Sequence, residues 1–107
     1  MRKLWNVIAA MTLMTGLAPG MAGIARIANE EIEEWLRGFD GYEGLIVLTD
    51  EQGERARIIT FWDSVESEER SRRGRWSMRE KVAETAGMAV ADVELYDVPV
   101  CELVRSQ

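Results

Sequence analysis

Asn6, Trp62 and Trp76 are the side chains best suited to catalysis in this 107-residue sequence. Asn6 is a polar residue inside an apolar run, and its amide can hydrogen-bond an anionic oxygen and stabilise developing negative charge. Trp62 and Trp76 can line a pocket for a flat aromatic ligand. The alternatives are that Asn6 lies at a strand end or bonds to the backbone, and that both tryptophans serve packing.

Basic side chains are concentrated between positions 70 and 81, which favours an anion or acidic-substrate site at the mouth of a pocket. The cluster comprises Arg70, Arg72, Arg73, Arg75, Arg79 and Lys81. Arg75 and Arg79 lie one helical turn apart with Met78 between them, so they are the candidate ligand-binding pair. The alternative is a solvated helix whose glutamates balance the charge. Tyr42 can donate a phenolic hydrogen bond to the same ligand, or simply span core and solvent.

The composition excludes several kinds of chemistry. There is no histidine, so a Ser-His or Cys-His nucleophile and the commonest neutral metal ligand are both absent, and we expect no metal and no cofactor. The net charge of −6 argues against nucleic acid as a partner. No apolar run reaches the roughly 18–20 residues that span a membrane, and a single cysteine fits a reducing, cytoplasmic compartment.

The elements that must position these residues follow from hydrophobic periodicity. Residues 4–14, 42–49, 55–62 and 89–100 are typical of strands, and 50–54 forms a hairpin loop. Apolar residues at helical spacing predict a helix over 19–37. A second helical region follows Asp63, which has capping-box spacing to Glu66. Gly74 is expected to interrupt this region, and Ser77 to start a separate short helix that ends at Gly87.

The order β-α-β-β-α-β predicts one α+β domain over 1–107, a ferredoxin-like unit with a four-stranded antiparallel sheet. In this arrangement the helices cover one face of the sheet, whereas the central strands are apolar on both faces. A bare second face would expose a large apolar patch, which soluble monomers avoid. We therefore predict a homodimer in which two sheets pack face to face.

The opening stretch, MRKLWNVIAAMTLMTGLAPGMAGIA, has two basic residues, an apolar run and small residues after it, as secretion signals do. Cleavage after Ala22 or Ala25 is chemically acceptable. The predicted fold argues against it, because its first strand is central to the sheet and no later segment can replace that strand. We expect these residues to form the first strand, a turn and the start of a helix.

The segments LRGFDGYEGLIVL (36–48), ARIITFWDSVESEE (56–69) and VELYDV (93–98) together resemble the antibiotic biosynthesis monooxygenase-like family. The resemblance implies a dimeric α/β barrel built from ferredoxin-like subunits. In the haem-degrading branch of this family an asparagine on the first strand and a tryptophan ending the third accompany an iron-ligating histidine. Asn6 and Trp62 match the first two, and the histidine has no counterpart.

Without this histidine, the sequence resembles the cofactor-independent branch of the family. In that branch an electron-rich aromatic or polyketide-like molecule reacts directly with oxygen in an apolar barrel pocket. The resemblance therefore implies a small monooxygenase. Two alternatives stay open on the sequence. One is a non-catalytic dimer that binds a small apolar or aromatic ligand, and the other is a dimer whose central space is filled by side chains.

Overall fold

The computed structural model describes residues 7–16, 26 and 28–102, and its centre is a four-stranded antiparallel sheet. The strands are β1 (Ile8–Thr15), β2 (Tyr42–Thr49), β3 (Arg55–Trp62) and β4 (Ala89–Asp97), in the spatial order β2-β3-β1-β4. The helical segment α1 consists of a π-helical part, Ala28–Ile32, and an α-helical part, Glu33–Leu36. Helix α2 (Val65–Ala86) joins β3 to β4. This order confirms the predicted α+β, ferredoxin-like fold.

Strand β1 lies between β3 and β4, as predicted for the opening stretch of the chain. Met11 pairs with Ile59 on one side and with Glu94 on the other. The pairing with β3 is continuous, whereas the pairing with β4 shifts between Leu13 and Met14. The predicted start of the first helix, at 19–25, and the proposed cleavage sites lie outside the described residues.

The helices pack on only one face of the sheet, and the other face has an apolar middle but also carries Arg57, Asp92 and Glu94. On the helix-covered face, Ala10, Met14 and Trp62 form a buried core with Leu36 and Val82. Residues of the opposite face, which we term the second face, alternate with these along each strand. They include Met11, Leu13, Ile46, Leu48, Ile59 and Phe61. No helix within the described ranges is long and apolar enough to cross a membrane.

Helix α2 is a single uninterrupted helix, so the predicted break at Gly74 and the separate start at Ser77 are wrong. A mid-helix glycine costs about 1 kcal/mol relative to alanine, but here it makes room for a neighbour. A Cβ on Gly74 would lie only 3.2 Å from Cζ of Phe39. The tertiary contact with this ring therefore offsets the low helix propensity of Gly74.

The first cap of α2 also differs from the prediction, because Ser64 and not Asp63 is the N-cap. The Ser64 Oγ accepts a hydrogen bond from the Ser67 N–H at 3.1 Å, which satisfies one of the free donors of the first turn. Asp63 instead accepts from the Ser67 hydroxyl at 2.6 Å. The predicted end at Gly87 is confirmed, and this residue adopts a left-handed conformation.

Gly41 connects the turn before β2 to the first turn of α2. It has φ +84°, and a Cβ there would lie 2.2 Å from Ser67 Oγ and 2.5 Å from Asp63 Oδ1. Its carbonyl accepts the Asp63 N–H at 2.9 Å. Gly41 is therefore constrained both by its own backbone angle and by the capping side chains.

We expect Gly41→Ala to lower the free energy of unfolding by about 3 kcal/mol, because left-handed strain and a steric clash act together. Gly87→Ala is the matched control, since Gly87 has φ +69° with no atom within 4 Å of the added Cβ. It should cost only the strain, about 1 kcal/mol. Urea denaturation measures both, and equal losses would contradict the proposed clash.

Candidate functional site

A cavity of about 50 Å³ lies between the sheet and the helices of the single chain. Its walls come from β1, β3, α1 and α2, with Ala10, Thr12, Met14, Ile32, Trp35, Leu36, Ile58, Thr60, Arg75, Met78, Arg79 and Val82 as lining residues. This volume holds a few water molecules and is about a third of the roughly 150 Å³ cavity that takes up a benzene ring. Because its walls come from both the sheet and the helices of one chain, the cavity lies on the helix-covered face of the sheet.

Two threonines provide hydroxyl groups to the cavity. Thr60, on β3, accepts a hydrogen bond from Nε1 of the fully buried Trp62 at 2.9 Å. Because this bond uses an acceptor lone pair, the proton of the Thr60 hydroxyl is free to be donated elsewhere. Thr12, which lies on β1 diagonally across from Thr60, is also buried. Both side chains lie on the helix-covered face because they alternate with residues of the second face.

Arg75 is held by a buried carboxylate within its own helix. Its Nη2 donates to Oε2 of Glu68 at 2.5 Å and to the Glu68 carbonyl oxygen at 3.1 Å. Its Nε donates to Oγ of Ser71 at 2.8 Å. Arg72 donates to both carboxylate oxygens of Glu68 from the more exposed side. Glu68 and Arg75 therefore form an ion pair that is almost completely removed from water.

The environment of Glu68 favours its charged form. Burial alone would raise the pKa of this carboxyl, but the hydrogen bond from Arg72 and the charge of Arg75 outweigh it and hold the pKa below its usual range. The opposite partner is affected differently: burial lowers the pKa of the Arg75 guanidinium, with only partial compensation by Glu68. Arginine is nevertheless cationic throughout the physiological range.

Each arginine of the cavity is stacked on a tryptophan. The Cζ atom of Arg75 lies 4.7 Å from the ring centroid of Trp62, and that of Arg79 lies 5.1 Å from the ring centroid of Trp76. Both distances are within the range of cation–π attraction. Trp62 supports Arg75 from the interior, whereas Trp76, which is half exposed, covers Arg79 from outside. The tryptophans thus fix the guanidinium groups that line the cavity.

Arg79 differs from Arg75 in its hydrogen bonding. Its side chain is buried, yet among the described residues its Nη1 has no hydrogen-bond partner. Burial lowers the pKa of Arg79, and the charge of Glu68 offsets part of this effect. A buried guanidinium with an unused donor is costly, because each lost hydrogen bond to water is left without replacement. This donor is therefore available to a ligand that enters the cavity.

The sequence-predicted site residues occupy different places. Arg75 and Arg79 line the cavity with Met78 between them. Trp62 and Trp76 are not among the lining residues: Trp62 contacts the lining through Arg75 and Thr60, and Trp76 through Arg79. Tyr42 packs its ring against Trp62 at 5.8 Å, and burial, with the charge of Glu33, raises the pKa of its hydroxyl. Asn6 lies outside the described residues.

Thr60 and Glu68 were not predicted as site residues. The spacing of Glu68 to Arg72 and Arg75, four and seven positions, is a signal that places three charges on one helical face. Nothing in that spacing indicates that the face is buried, because the surrounding segment is nearly all polar. Thr60 carries only the weak signal of a hydroxyl on a helix-facing strand position.

Comparison with solved structures identifies the fold. A monooxygenase from Streptomyces coelicolor, solved in complex with the ligand nanaomycin D, has a TM-score of 0.65 at 15% identity, covering 94% of this chain and 93% of that chain. A protein from Deinococcus radiodurans named for the antibiotic biosynthesis monooxygenases has a TM-score of 0.60 at 17% identity, covering 94% and 98%. The chain has the fold of these monooxygenases. The fold implied by the sequence resemblance is thereby confirmed.

A dimeric ferredoxin-like protein from an uncultured marine organism is also similar to this chain, with a TM-score of 0.56, 14% identity and coverage of 97% of both chains. No protein-family model matches the sequence. No curated protein matches it either. The similarity to the monooxygenases is therefore one of three-dimensional structure.

Replacing the buried carboxylate tests the ion pair. We expect Glu68→Gln to lower the free energy of unfolding at pH 7 by about 3 kcal/mol, because Arg75 is left buried without its counter-charge. The pKa of Glu68 is lowered in the fold, so its contribution is present above the ordinary value of 4.5 and is lost as the pH falls through the lower folded value. Urea denaturation at pH 7 and pH 3 measures both effects.

The variant Glu84→Gln is the control for this experiment, because Glu84 is an exposed residue of the same helix. It should keep the stability and the acid sensitivity of the parent chain. The difference in stability between the parent and Glu68→Gln should shrink at pH 3. A difference that stays constant with pH would contradict a role for the charge of Glu68.

Proposed function

We propose that the chain is a cofactor-independent monooxygenase that oxidises an electron-rich aromatic or polyketide-like small molecule in the cavity between sheet and helices. The observation that supports it most directly is the lining of this cavity. Among the described residues, the apolar side chains of the lining are interrupted only by two hydroxyl groups and two guanidinium groups, with no carboxylate. The shared fold with a monooxygenase that binds nanaomycin D supports the same conclusion.

The proposed reaction depends on the substrate's own ring. A CH₂ group activated by phenolic or ketone groups loses a proton, and the resulting carbanion, delocalised onto oxygen, reduces O₂. One oxygen atom forms a new C–O bond, and the terminal oxygen takes up a proton in place of the one lost from carbon, which gives a hydroperoxide. Loss of the second carbon-bound proton and cleavage of the O–O bond then give a ketone and water. The sum is R₂CH₂ + O₂ → R₂C=O + H₂O, which requires no external reductant.

The residues of the chain would act by charge and by exclusion of water. Cationic and hydroxyl donors stabilise the delocalised anion in an apolar site, where such interactions are strong. Trp62 and Trp76 would be positioning residues, since each supports one arginine. Asn6 is a proposed catalytic group because it is an amide side chain within an apolar run of the sequence. Binding a ring requires the half-buried Trp35 and Met78 to move outward, and the flexible methionine allows this.

Filling the cavity tests the proposal. Ala10 is buried and lines it, so Ala10→Val places two additional methyl groups in the empty space. We expect oxygen uptake with anthrone- or hydroquinone-like compounds to fall at least tenfold. The free energy of unfolding should change by less than about 1 kcal/mol, because a β-branched residue suits a strand and fills a void. An oxygen electrode and urea denaturation give the two measurements.

Ala89→Val is the matched control, because Ala89 is an exposed strand residue of the same sheet. It should leave oxygen uptake unchanged. No oxygen uptake by the parent chain with the whole panel would overturn the proposed activity. Ligands that stabilise the protein and are recovered unchanged would instead support the non-catalytic binding alternative.

We further propose that the chain is a homodimer that buries the second face of the sheet. Aliphatic and aromatic side chains from three strands form the middle of this face, with Arg57, Asp92 and Glu94 beside them, and none of the described helices covers it. Leu48 is half exposed there. A dimeric protein of the same fold supports the proposal. The cavity lies on the opposite side of the sheet, so each subunit would carry its own site.

Introducing a charge into the second face should separate the subunits. Ile59 lies near its middle, between Met11 and Ile46. We expect the parent chain to have twice the mass of one chain by light scattering, and Ile59→Glu to be monomeric, because burying an unpaired carboxylate is strongly unfavourable. Val65→Glu, at an exposed position that starts α2, should remain dimeric. A monomeric parent chain would contradict the proposal.

A further inference from the structure

We propose that Arg79 forms an anion-binding subsite, and that the molecule bound in the cavity carries an ionised oxygen, as a carboxylate or a phenolate, which pairs with its free Nη1 donor. The inference rests on the proposed function in one respect, namely that the same cavity takes up the substrate. It adds the charge of that substrate and the single residue that recognises it.

Hydrogen bonding distinguishes Arg79 from Arg75 as the recognition group. The Nε and Nη2 atoms of Arg75 already donate to Ser71 and Glu68, and its flat face rests on Trp62. The Nη1 of Arg79 is buried and has no acceptor among the described residues. It is the sole buried side-chain donor or acceptor without a partner in the part of the chain that the structure describes. A ligand therefore competes with no protein group for it.

The charge balance of the cavity also calls for an anion. Glu68 neutralises Arg75 in a direct ion pair, whereas Arg79 brings a second positive charge to the same lining. Among the described residues, no carboxylate lines the cavity, and the charges of Glu68 and Glu80 compensate Arg79 only in part. A buried charge that is only partly compensated is costly in a folded protein. An anionic ligand relieves this unfavourable burial when it binds, whereas a neutral ligand does not. The cavity should therefore bind anionic ligands more tightly than neutral ones.

The dimensions of the cavity fit an anionic group better than a ring. A volume of about 50 Å³ accommodates a carboxylate or a single oxygen with its neighbours. The remainder of the ligand would then lie against Trp35 and Met78, the half-buried residues of the lining. Guanidinium is suited to this contact because its planar N–H groups match the geometry of carboxylate oxygens. Trp76 limits the movement of Arg79 from the outer side.

Two probes of the same shape and different charge test the subsite, 2-naphthoate and its neutral amide, 2-naphthamide. We expect calorimetric titration of the full chain to show tighter binding of naphthoate. Arg79→Met should weaken naphthoate binding about 30-fold or more, as expected when one partner of a buried charge pair is removed. Naphthamide binding should change by less than about threefold, because it offers no charge to Arg79.

Matched variants separate the subsite from general charge and from misfolding. Arg73→Met removes an equal charge from an exposed position of α2 and should leave naphthoate binding unchanged. Arg79→Lys keeps the charge without the planar fork and should retain part of the affinity. Removing an unpaired buried donor should leave the melting temperature of Arg79→Met at or above that of the parent. If that variant does not fold, the comparison of Arg79→Lys with the parent decides.

A pH series with 2-naphthol distinguishes the two sources of the ionised oxygen. Naphthoate is ionised throughout pH 6–9, so its affinity should be constant there. If the subsite also accepts a phenolate, the affinity for naphthol should rise about tenfold for each unit by which the pH increases towards the pKa of naphthol. Naphthol affinity that does not change with pH would contradict a phenolate ligand and leave the carboxylate. The naphthoate titration decides whether the site takes an anion, and the naphthol series decides whether that anion can be a phenolate.

Equal naphthoate binding by the parent and Arg79→Met would overturn the inference and assign the free donor to a buried water molecule. Absence of binding of either probe to the parent chain would also overturn it. The proposed activity is tested separately. Arg79-dependent naphthoate binding without any oxygen uptake would contradict the monooxygenase and leave the subsite intact. Oxygen uptake that is equal in the parent and Arg79→Met would contradict the subsite and leave the monooxygenase proposal standing.

Discussion

The buried carboxylate of Glu68 is the interaction on which the rest of the structure depends. It fixes Arg75 through a direct ion pair, and Arg75 in turn lies flat on Trp62 at the end of β3. Trp62 is completely buried and contacts the sheet core through the Thr60 hydroxyl. One charged group on α2 therefore connects the helix to the sheet. The first half of α2 is held to the core by polar contacts, whereas its second half packs through Met78, Val82 and Ala83 in the usual apolar way.

The strands could be predicted closely from the sequence, because period-two alternation and hairpin residues are local signals. The predicted limits of the second and third strands, 42–49 and 55–62, agree with the structure. Helix α2 could not be predicted as one element. Its continuity past Gly74 depends on the ring of Phe39, which is distant in sequence. Local propensity contains no information about such a contact.

The candidate site was predicted in part. The spacing of Arg75 and Arg79 on one helical face correctly indicates that they share a surface, and both line the cavity. The sequence does not reveal that this face is buried, since its neighbours are mostly charged. For the same reason Glu68 was missed. Trp62 and Trp76 are evident candidates from their residue type, but the sequence does not show what they contact. Trp62 contacts Arg75 because α2 packs on β3. Trp76 contacts Arg79 because the two residues are about one helical turn apart.

Successive side chains of β1 point to opposite faces of the sheet, so the composition of both faces depends on the register of this strand. Ala10, Thr12 and Met14 lie on the cavity side, and Met11 and Leu13 lie on the second face. A slip of one residue would exchange the two sets. Methionine and leucine would then fill the cavity, and a threonine would enter the apolar second face. The irregularity between Leu13 and Met14 in the pairing with β4 ties this register to one position. Errors of strand alignment during folding would thus remove the cavity and the second face together.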